Sequence, residues 1–196
     1  AFTGGAFRFS YNGVDDLMQL CPSLADEDLD NIDFGTYTHE QYYDDVFRMT
    51  QYRSDADLVE VLVTNSFETA KWMTTHGIQL IPATGRQAFK VDGKFKFWGG
   101  LALRINGGGE QLVASLHEKA EAVGIRVVYE ATAVDLLHEE GKVVGVRARH
   151  GGKTHDLRAK AVILACGGFE SNQAMRARYL GPGWDLAKVR GTEFNN

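Results

Sequence analysis

The chain has 196 residues, of which 44% are hydrophobic and 24% charged, a balance typical of a globular protein and unlike that of a disordered chain. Its length corresponds to one domain, or one and a half, at roughly 150 residues per domain. A net charge of −5 argues against a nucleic-acid surface, which carries clustered basic residues. Glycine is frequent, with 22 residues against three prolines, which indicates backbone that must turn tightly or approach a neighbour closely.

The first half of the sequence predicts a loop, then helices, then a hairpin. Thr3, Gly4 and Gly5 begin a loop with tight backbone demands. A capping box at Thr38 and Gln41 marks the start of one of the helices. Three segments have apolar residues at helical spacing, namely 14–20, 38–52 and 54–77. Two alternating arms flank Asp92-Gly93 within residues 87–98, which is the strongest hairpin signal in the sequence.

The second half predicts one helix, then a series of strands, then a further helix. Three glycines at 107–109 introduce the first helix, which ends near Gly124, and Asn172 begins the second. Five strands are expected, at 125–129, 132–138, 143–150, 153–158 and 161–165. Turn signals make the middle three antiparallel, whereas the last is a continuous apolar run of the kind that parallel sheets bury on both faces. These elements predict an α/β or α+β fold.

The cysteines and histidines predict no metal site. Cys21 and Cys166 are the only cysteines, and no pair of histidines has ligand spacing with a carboxylate partner. The longest apolar run, 161–166, is much shorter than the ~20 residues that cross a bilayer. We therefore expect no metal, no membrane span and a reducing, cytoplasmic location.

Cys166, Gly167 and Gly168 directly follow the last predicted strand and are the best local candidates for a cofactor contact. In open α/β sheets ligands bind beyond the carboxyl ends of the strands, where glycine lets the backbone approach the ligand. The same residues could equally form a tight turn with nothing bound. The residues alone leave both interpretations open.

Several of these motifs together resemble the FAD-dependent flavoproteins of the fumarate reductase and succinate dehydrogenase superfamily. The segments that carry the resemblance are 107–109 with the helix that follows, 132–134, 141–146, and 161–169 with Asn172. In that family the last segment ordinarily ends Ala-Thr-Gly-Gly-Phe, so Cys166 stands where threonine is usual. The missing hydroxyl removes one possible hydrogen bond to a cofactor but not the close approach of the glycine backbone.

The resemblance implies an FAD cofactor and a partial FAD/NAD(P)-binding-type fold with an antiparallel β excursion and flanking helices. Residues 107–196 would form the middle of the FAD-binding domain, and residues 1–106 a helical and hairpin segment adjoining the flavin site. The implied cofactor-binding residues fall into three groups: Thr3, Gly4 and Gly5 beside the isoalloxazine, the backbone of Ala133 and Val134 at the adenine end, and Cys166, Gly167 and Gly168.

Scattered positions look most like the branch that contains FAD-dependent tricarballylate dehydrogenase. They are residues 3–8, Trp72, Gly77, residues 98–100 and residues 191–195. This likeness implies an enzyme that transfers hydride between a small, tricarballylate-like carboxylate and flavin N5, with an electron-transfer partner. Fumarate, aspartate, ketosteroid or corrin-precursor substrates stay open, as does a non-enzymatic module that uses the aromatic hairpin for protein contacts.

Two parts of the family pattern are missing from the sequence. It contains no Gly-x-Gly-x-x-Gly fingerprint, which the family carries upstream, and it ends before the family's substrate-clamping His and Arg residues. We therefore expect an internal fragment, inactive by itself, with its catalytic residues outside this chain. Arg104 could grip a substrate carboxylate, although a surface arginine before a helix is the favoured interpretation.

Overall fold

The structure is a computed structural model, and it describes residues 3–26, 29–85 and 87–189. The chain divides into two compact units, Ala1–Gly124 and Ile125–Asn196, each of which is described by itself. Both contain helices and strands, as expected for an α/β or α+β protein. The boundary between the compact units follows Gly124, because the helix after Gly107 packs on the first unit's core through Leu112. The division before Gly107, which the resemblance implies for the FAD-binding domain, stays a prediction.

The helices of the first unit begin at local signals that the sequence contains. They are α1 (Val14–Leu20), α2 (His39–Met49), α3 (Ala56–Thr75) and α4 (Gly108–Ala122). At the start of α2, the Thr38 amide donates to Gln41 Oε1 (2.8 Å) and the Gln41 amide donates to Thr38 Oγ1 (3.3 Å). This confirms the predicted capping box. Asp55 caps α3 by accepting hydrogen bonds from the backbone amides of residues 57 and 58.

The strands of the first unit are short and form two small sheets. Their ranges are β1 (Ile32–Asp33), β2 (Leu80–Pro82), β3 (Ala88–Val91), β4 (Lys94–Phe97) and β5 (Leu103–Ile105). β3 and β4 form the predicted hairpin, and Asp92 and Gly93 both have positive φ, at 50° and 83°. Positive φ at both central residues is the requirement of a type I′ turn. β4 also pairs in parallel with β1, and β2 pairs antiparallel with β5.

An apolar core holds these elements and fixes the orientation of β5. Phe9, Leu17 and Val63 are completely buried in it, together with Leu103 on β5. Successive side chains of a strand face opposite sides. Because Leu103 and Ile105 are both buried in the core, the side chain of Arg104 between them is directed away from it.

The second unit is built around an antiparallel sheet. Its strands are β6 (Thr132–Glu139), β7 (Lys142–His150) and β8 (Lys153–Arg158), in the order β6-β7-β8, followed by helix α5 (Gln173–Leu180). The prediction of three consecutive antiparallel strands is confirmed. Asn172 caps α5 by accepting a hydrogen bond from the Met175 amide (3.0 Å), at the position that the sequence predicts.

The predicted strands at 125–129 and 161–165 are wrong, because neither segment is a strand in the structure. Ile163 is 88% exposed and Leu164 is 67% exposed. A strand needs a neighbour to satisfy its backbone, and within residues 125–189 only β6, β7 and β8 pair with one another. Both segments are apolar, but an apolar segment does not form a sheet without a partner strand.

Candidate functional site

The loop Thr3-Gly4-Gly5 lies directly against the amino end of α4. The Gly109 amide donates to the Thr3 carbonyl oxygen (3.2 Å), and the Ile105 amide donates to the Gly5 carbonyl oxygen (2.8 Å). The Gly5 amide donates to Thr3 Oγ1 (3.2 Å), which fixes the bend of the loop. The structure thus brings the predicted residues Thr3, Gly4 and Gly5 together with the glycines that begin α4.

Two glycines are required for this close approach. Gly5 has φ of +74°, and a Cβ there would lie 2.8 Å from the Gly108 Cα. A Cβ at Gly109 would lie 2.8 Å from the Thr3 carbonyl oxygen and would also strike the Thr3 side chain. Both distances are shorter than real Cβ contacts, so a side chain at either position would push the loop away. Bare backbone therefore forms this surface.

A concavity of about 420 Å³ opens beside the loop. It is lined by Thr3, Gly4, Gly85, Arg104, residues 107–109 and Glu110. The amino end of α4 contributes to its wall, and the residue that precedes this helix, Gly107, makes no side-chain capping hydrogen bond. The first amides of a helix lack intrahelical acceptors, and the helix dipole makes this end positive. Of these amides, that of Gly109 already donates to the Thr3 carbonyl oxygen. The wall is therefore suited to a ligand that presents oxygen atoms.

Arg104 supplies further donors to the same concavity. Its Nη1 donates to the Ile105 carbonyl oxygen at 3.4 Å, a long hydrogen bond. Its Nε is buried and has no hydrogen-bond partner among the residues that the structure describes. A buried donor without an acceptor is costly, by about 1–3 kcal/mol, and such groups usually mark a site where a ligand, ion or water supplies the acceptor.

This surface fits the isoalloxazine of a flavin. Bare glycine backbone lets a flat ring approach without a side chain between them. The amino end of α4 suits the carbonyl oxygens on the edge of the ring. The assignment of Thr3, Gly4 and Gly5 to this ring remains a prediction.

Ala133 and Val134 lie in the second unit, on the edge strand β6. Ala133 pairs with Ala148 and Asp135 pairs with Arg147, so Val134 is the additional residue of a β-bulge. A bulged residue is left out of the ladder and its backbone can serve another partner. Val134 is also half exposed. This geometry fits a backbone contact to an adenine, which stays a prediction.

Cys166, Gly167 and Gly168 lie in an irregular segment before α5. Cys166 is exposed, and Gly167 has φ of +75°, which favours glycine. A Cβ at Gly168 would meet only the end of the flexible Glu170 side chain, so this position does not require glycine. The parallel strand expected before the segment is absent, so a cofactor contact here remains a prediction.

Arg176 anchors the segment that follows these residues, and the sequence analysis missed it. Its side chain is buried, and its guanidinium donates to the carbonyl oxygens of Glu170, Trp184, Asp185 and Ala187. No pattern in the sequence distinguishes it from Arg178, which lies over the Tyr179 ring on the same helix. The contact to Glu170 fixes the backbone just after the predicted Cys166-Gly167-Gly168 loop.

A second cluster that the sequence analysis missed surrounds Asp45 in the first unit. Its carboxylate accepts hydrogen bonds from Arg48 (2.6 Å), Tyr37 (2.9 Å) and Arg8 (3.1 Å). The Arg48 hydrogen bond is the largest of the effects that lower the pKa of Asp45. Burial, with the Asp45 hydrogen bond second, raises the pKa of Tyr37 to about 12.

The Tyr37 ring also explains the glycines at 99 and 100. A Cβ at Gly100 would lie 2.6 Å from two ring atoms of Tyr37, so both glycines are needed to seat this ring. These positions therefore pack against a tyrosine in the structure.

The remaining candidates have structural explanations or lie outside the described residues. His76 directly follows α3, and its Nδ1 lies 2.8 Å from the Trp72 carbonyl oxygen, a position that suits a cap at the carboxyl end of the helix. Residues 191–195 lie outside the described residues. Within the ranges that are described, no group of three or more His, Cys, Asp or Glu side chains could hold a metal ion, and no helix is long and apolar enough to cross a bilayer.

Comparison with known proteins adds a family and two relatives. The family model described as "FAD binding domain" matches residues 28–187. A probable fumarate reductase Ifc3 of Shewanella frigidimarina is 27% identical over 142 residues, which is 71% of this chain and 23% of the relative. A urocanate reductase of Eggerthella lenta is 30% identical over 134 residues, which is 64% of this chain and 20% of the relative.

The chain thus spans about a fifth of the length of these curated relatives. No solved structure matches it.

Proposed function

Since the chain belongs to the FAD binding domain family and its cofactor is FAD, we propose that it is part of an FAD-dependent oxidoreductase. In this enzyme a hydride passes between a small carboxylate substrate and the flavin. The family match, together with the two reductases among its relatives, supports membership of the fumarate reductase and succinate dehydrogenase superfamily.

One observation carries the proposal at the level of the site. The bare backbone of Thr3-Gly4-Gly5 lies on the amino end of α4 and borders a concavity of about 420 Å³. The close approach of the two segments excludes side chains at Gly5 and Gly109. This surface is well suited to a flat ring whose edge carries oxygens, and an isoalloxazine is such a ring.

The chain's own residues would bind and orient the cofactor. When bound, FAD supplies the hydride chemistry at N5. In the first unit, Thr3, Gly4 and Gly5 would lie beside a flavin ring. In the second unit, the bulged backbone at Val134 would contact an adenine, and Gly167 would let the backbone approach a cofactor. We place the catalytic acid and the substrate clamps in the parts of a longer protein that this chain does not span.

The substrate proposal is a tricarballylate-like carboxylate. It rests on the scattered resemblance at residues 3–8, Trp72, Gly77 and residues 98–100. Fumarate and urocanate, which appear in the names of the relatives, are carboxylates with a carbon–carbon double bond, whereas tricarballylate is a saturated carboxylate. Tricarballylate would therefore give a hydride to the flavin, and fumarate or urocanate would accept one from it. An electron-transfer partner would return or remove the electrons.

The apolar segments 125–129 and 161–165 expose several large side chains, among them Ile125, Ile163 and Leu164. We propose that other parts of a longer polypeptide cover these side chains. The chain by itself is then expected to be colourless and inactive.

The test compares the chain with the full-length protein from which it comes. We expect the full-length protein to purify with one FAD and the chain alone with little or none, measured by visible absorbance. Anaerobic mixing then identifies the substrate: tricarballylate should bleach the oxidised flavin, or fumarate or urocanate should reoxidise the reduced flavin. A full-length protein without flavin would contradict the proposal, and a stoichiometric flavin spectrum from the chain alone would contradict its fragment status.

A further inference from the structure

We propose that Arg104 binds a carboxylate group in the concavity beside Thr3-Gly4-Gly5. Arg104 lies on β5 between two buried residues, and its side chain lines this concavity. Its backbone also bridges to Ala6, directly after the loop. The strand and the loop therefore hold the guanidinium at a defined place.

The free edge of the guanidinium determines which ligand fits. Nη1 makes the long hydrogen bond to the Ile105 carbonyl oxygen, and Nε has no partner among the described residues. Because Nε is buried, the side of the planar group that a ligand can reach is the one formed by Nη1 and Nη2, where the Ile105 carbonyl oxygen is the one acceptor among the described residues. A carboxylate has two oxygens in one plane at the spacing that a guanidinium edge accepts, and such bidentate pairs are strong.

The surrounding charges favour an anion at Arg104. The chain forms five ion pairs among the described residues, and none of them involves Arg104. The amino end of α4 adds partial positive charge to the same wall. Glu110 opposes it, because this exposed carboxylate is in the first turn of α4 and lines the same concavity.

The size of the concavity indicates a small molecule. Its volume of about 420 Å³ is at the lower end of the range of small-molecule sites, about 300–1,000 Å³. The assignment of the bound carboxylate to the substrate rests on the proposed function, since that function places the flavin ring beside the same loop. The binding of a carboxylate by Arg104 does not depend on flavin.

The experiment uses the chain without flavin, labelled with ¹⁵N. The arginine Nε–H signals are followed by NMR during titration with tricarballylate, fumarate, acetate and inorganic phosphate. We expect the Arg104 Nε–H signal to shift saturably with the carboxylates. Arg104→Gln should weaken tricarballylate binding by about 10-fold to 100-fold, the loss expected for a charged bidentate hydrogen bond.

Two further variants sharpen the test. Glu110→Gln removes the opposing charge and should tighten binding by about twofold to fivefold, as expected for an exposed charge. Arg53→Gln, at an exposed position of the same unit, should leave binding unchanged. The amide spectrum shows whether the Arg104→Gln protein is folded. If it is not, the titration of the wild-type chain still tests the proposal, because it needs no variant.

The proposal is overturned if the Arg104 signal does not move, if Arg104→Gln binds as well as wild type, or if phosphate shifts the signal and carboxylates do not. These outcomes differ from failure of the proposed function. A carboxylate site in the chain with no flavin in the full-length protein would refute the proposed function alone. Flavin in the full-length protein with an unresponsive Arg104 would refute this inference alone.

Discussion

Replacement of Arg176 by methionine should locally unfold the corner that follows the Cys166-Gly167-Gly168 segment. The buried guanidinium donates to four carbonyl oxygens, those of residues 170, 184, 185 and 187. Methionine has a comparable reach and no donors, so the variant removes all four hydrogen bonds while it keeps most of the apolar contact. The four carbonyl groups then lose their partner together.

The size of the effect follows from the four carbonyl groups. An unsatisfied buried polar group costs about 1–3 kcal/mol. If water reaches half of the four, two remain unsatisfied, and the free energy of unfolding of this corner falls by about 2–6 kcal/mol. Arg176→Lys keeps the charge but has a single point of donation instead of a planar fork, so it should recover only part of the loss.

Amide hydrogen exchange of helix α5 measures this directly, because local opening has its own free energy. Each 1.4 kcal/mol changes protection about tenfold, so Arg176→Met should lower protection in α5 by about 30-fold or more. Arg178→Met is the matched control on the same helix, since Arg178 only lies over the Tyr179 ring, and it should change protection by less than about threefold. Equal protection in the Arg176→Met variant and wild type would refute the reasoning.

Two other predictions concern the first unit. Gly109→Ala places a Cβ 2.8 Å from the Thr3 carbonyl oxygen and should displace the loop, so the Ile105 amide, bonded to Gly5, should exchange about tenfold faster. Gly85→Ala, with no atom within 4 Å, is the control, and unchanged exchange at Ile105 in the Gly109 variant would contradict the close contact. The second concerns pH. The hydrogen bond from Arg48 lowers the pKa of Asp45 below its ordinary 3.8. Ionised Asp45 therefore stabilises the folded protein above pH 3.8, and this stabilisation is lost as the pH falls through the lower pKa of the folded state. Urea midpoints from pH 6 to about 2 should therefore fall less in Asp45→Asn than in wild type, and parallel curves would show that Asp45 does not contribute.

Local signals in the sequence predicted much of the fold. The capping box at Thr38, the turn at Asp92-Gly93 and the cap at Asn172 each depend on neighbours within a few residues, and all three are present. The three antiparallel strands also follow from turns between adjacent segments. Contacts between residues that are close in the sequence can therefore be predicted from the sequence.

Long-range packing could not be predicted in the same way. The apolar runs at 125–129 and 161–165 resemble buried strands, yet no described strand pairs with them. Arg176 looks like any helical arginine, and its role depends on carbonyl groups up to eleven residues away in a loop. The glycines at 99 and 100 seat the Tyr37 ring, a contact that no local pattern contains.

The candidate site was predicted in part for the same reason. The glycine-rich composition pointed to Thr3-Gly4-Gly5 and to residues 107–109, and the structure brings these two segments together. The unpaired Nε of Arg104 could not be foreseen, because it depends on which acceptors β5 and the loop leave out of reach.

The sheet of the second unit limits how many strands can be gained or lost between residues 132 and 158. β6, β7 and β8 alternate in direction, so the chain enters at one end of the sheet and leaves at the other. Loss or gain of a hairpin, which is two strands, keeps the exit at the same end, whereas loss of one strand reverses the chain. Among related proteins, strands gained or lost between residues 132 and 158 should therefore come in pairs, whereas the turns between them can vary in length freely.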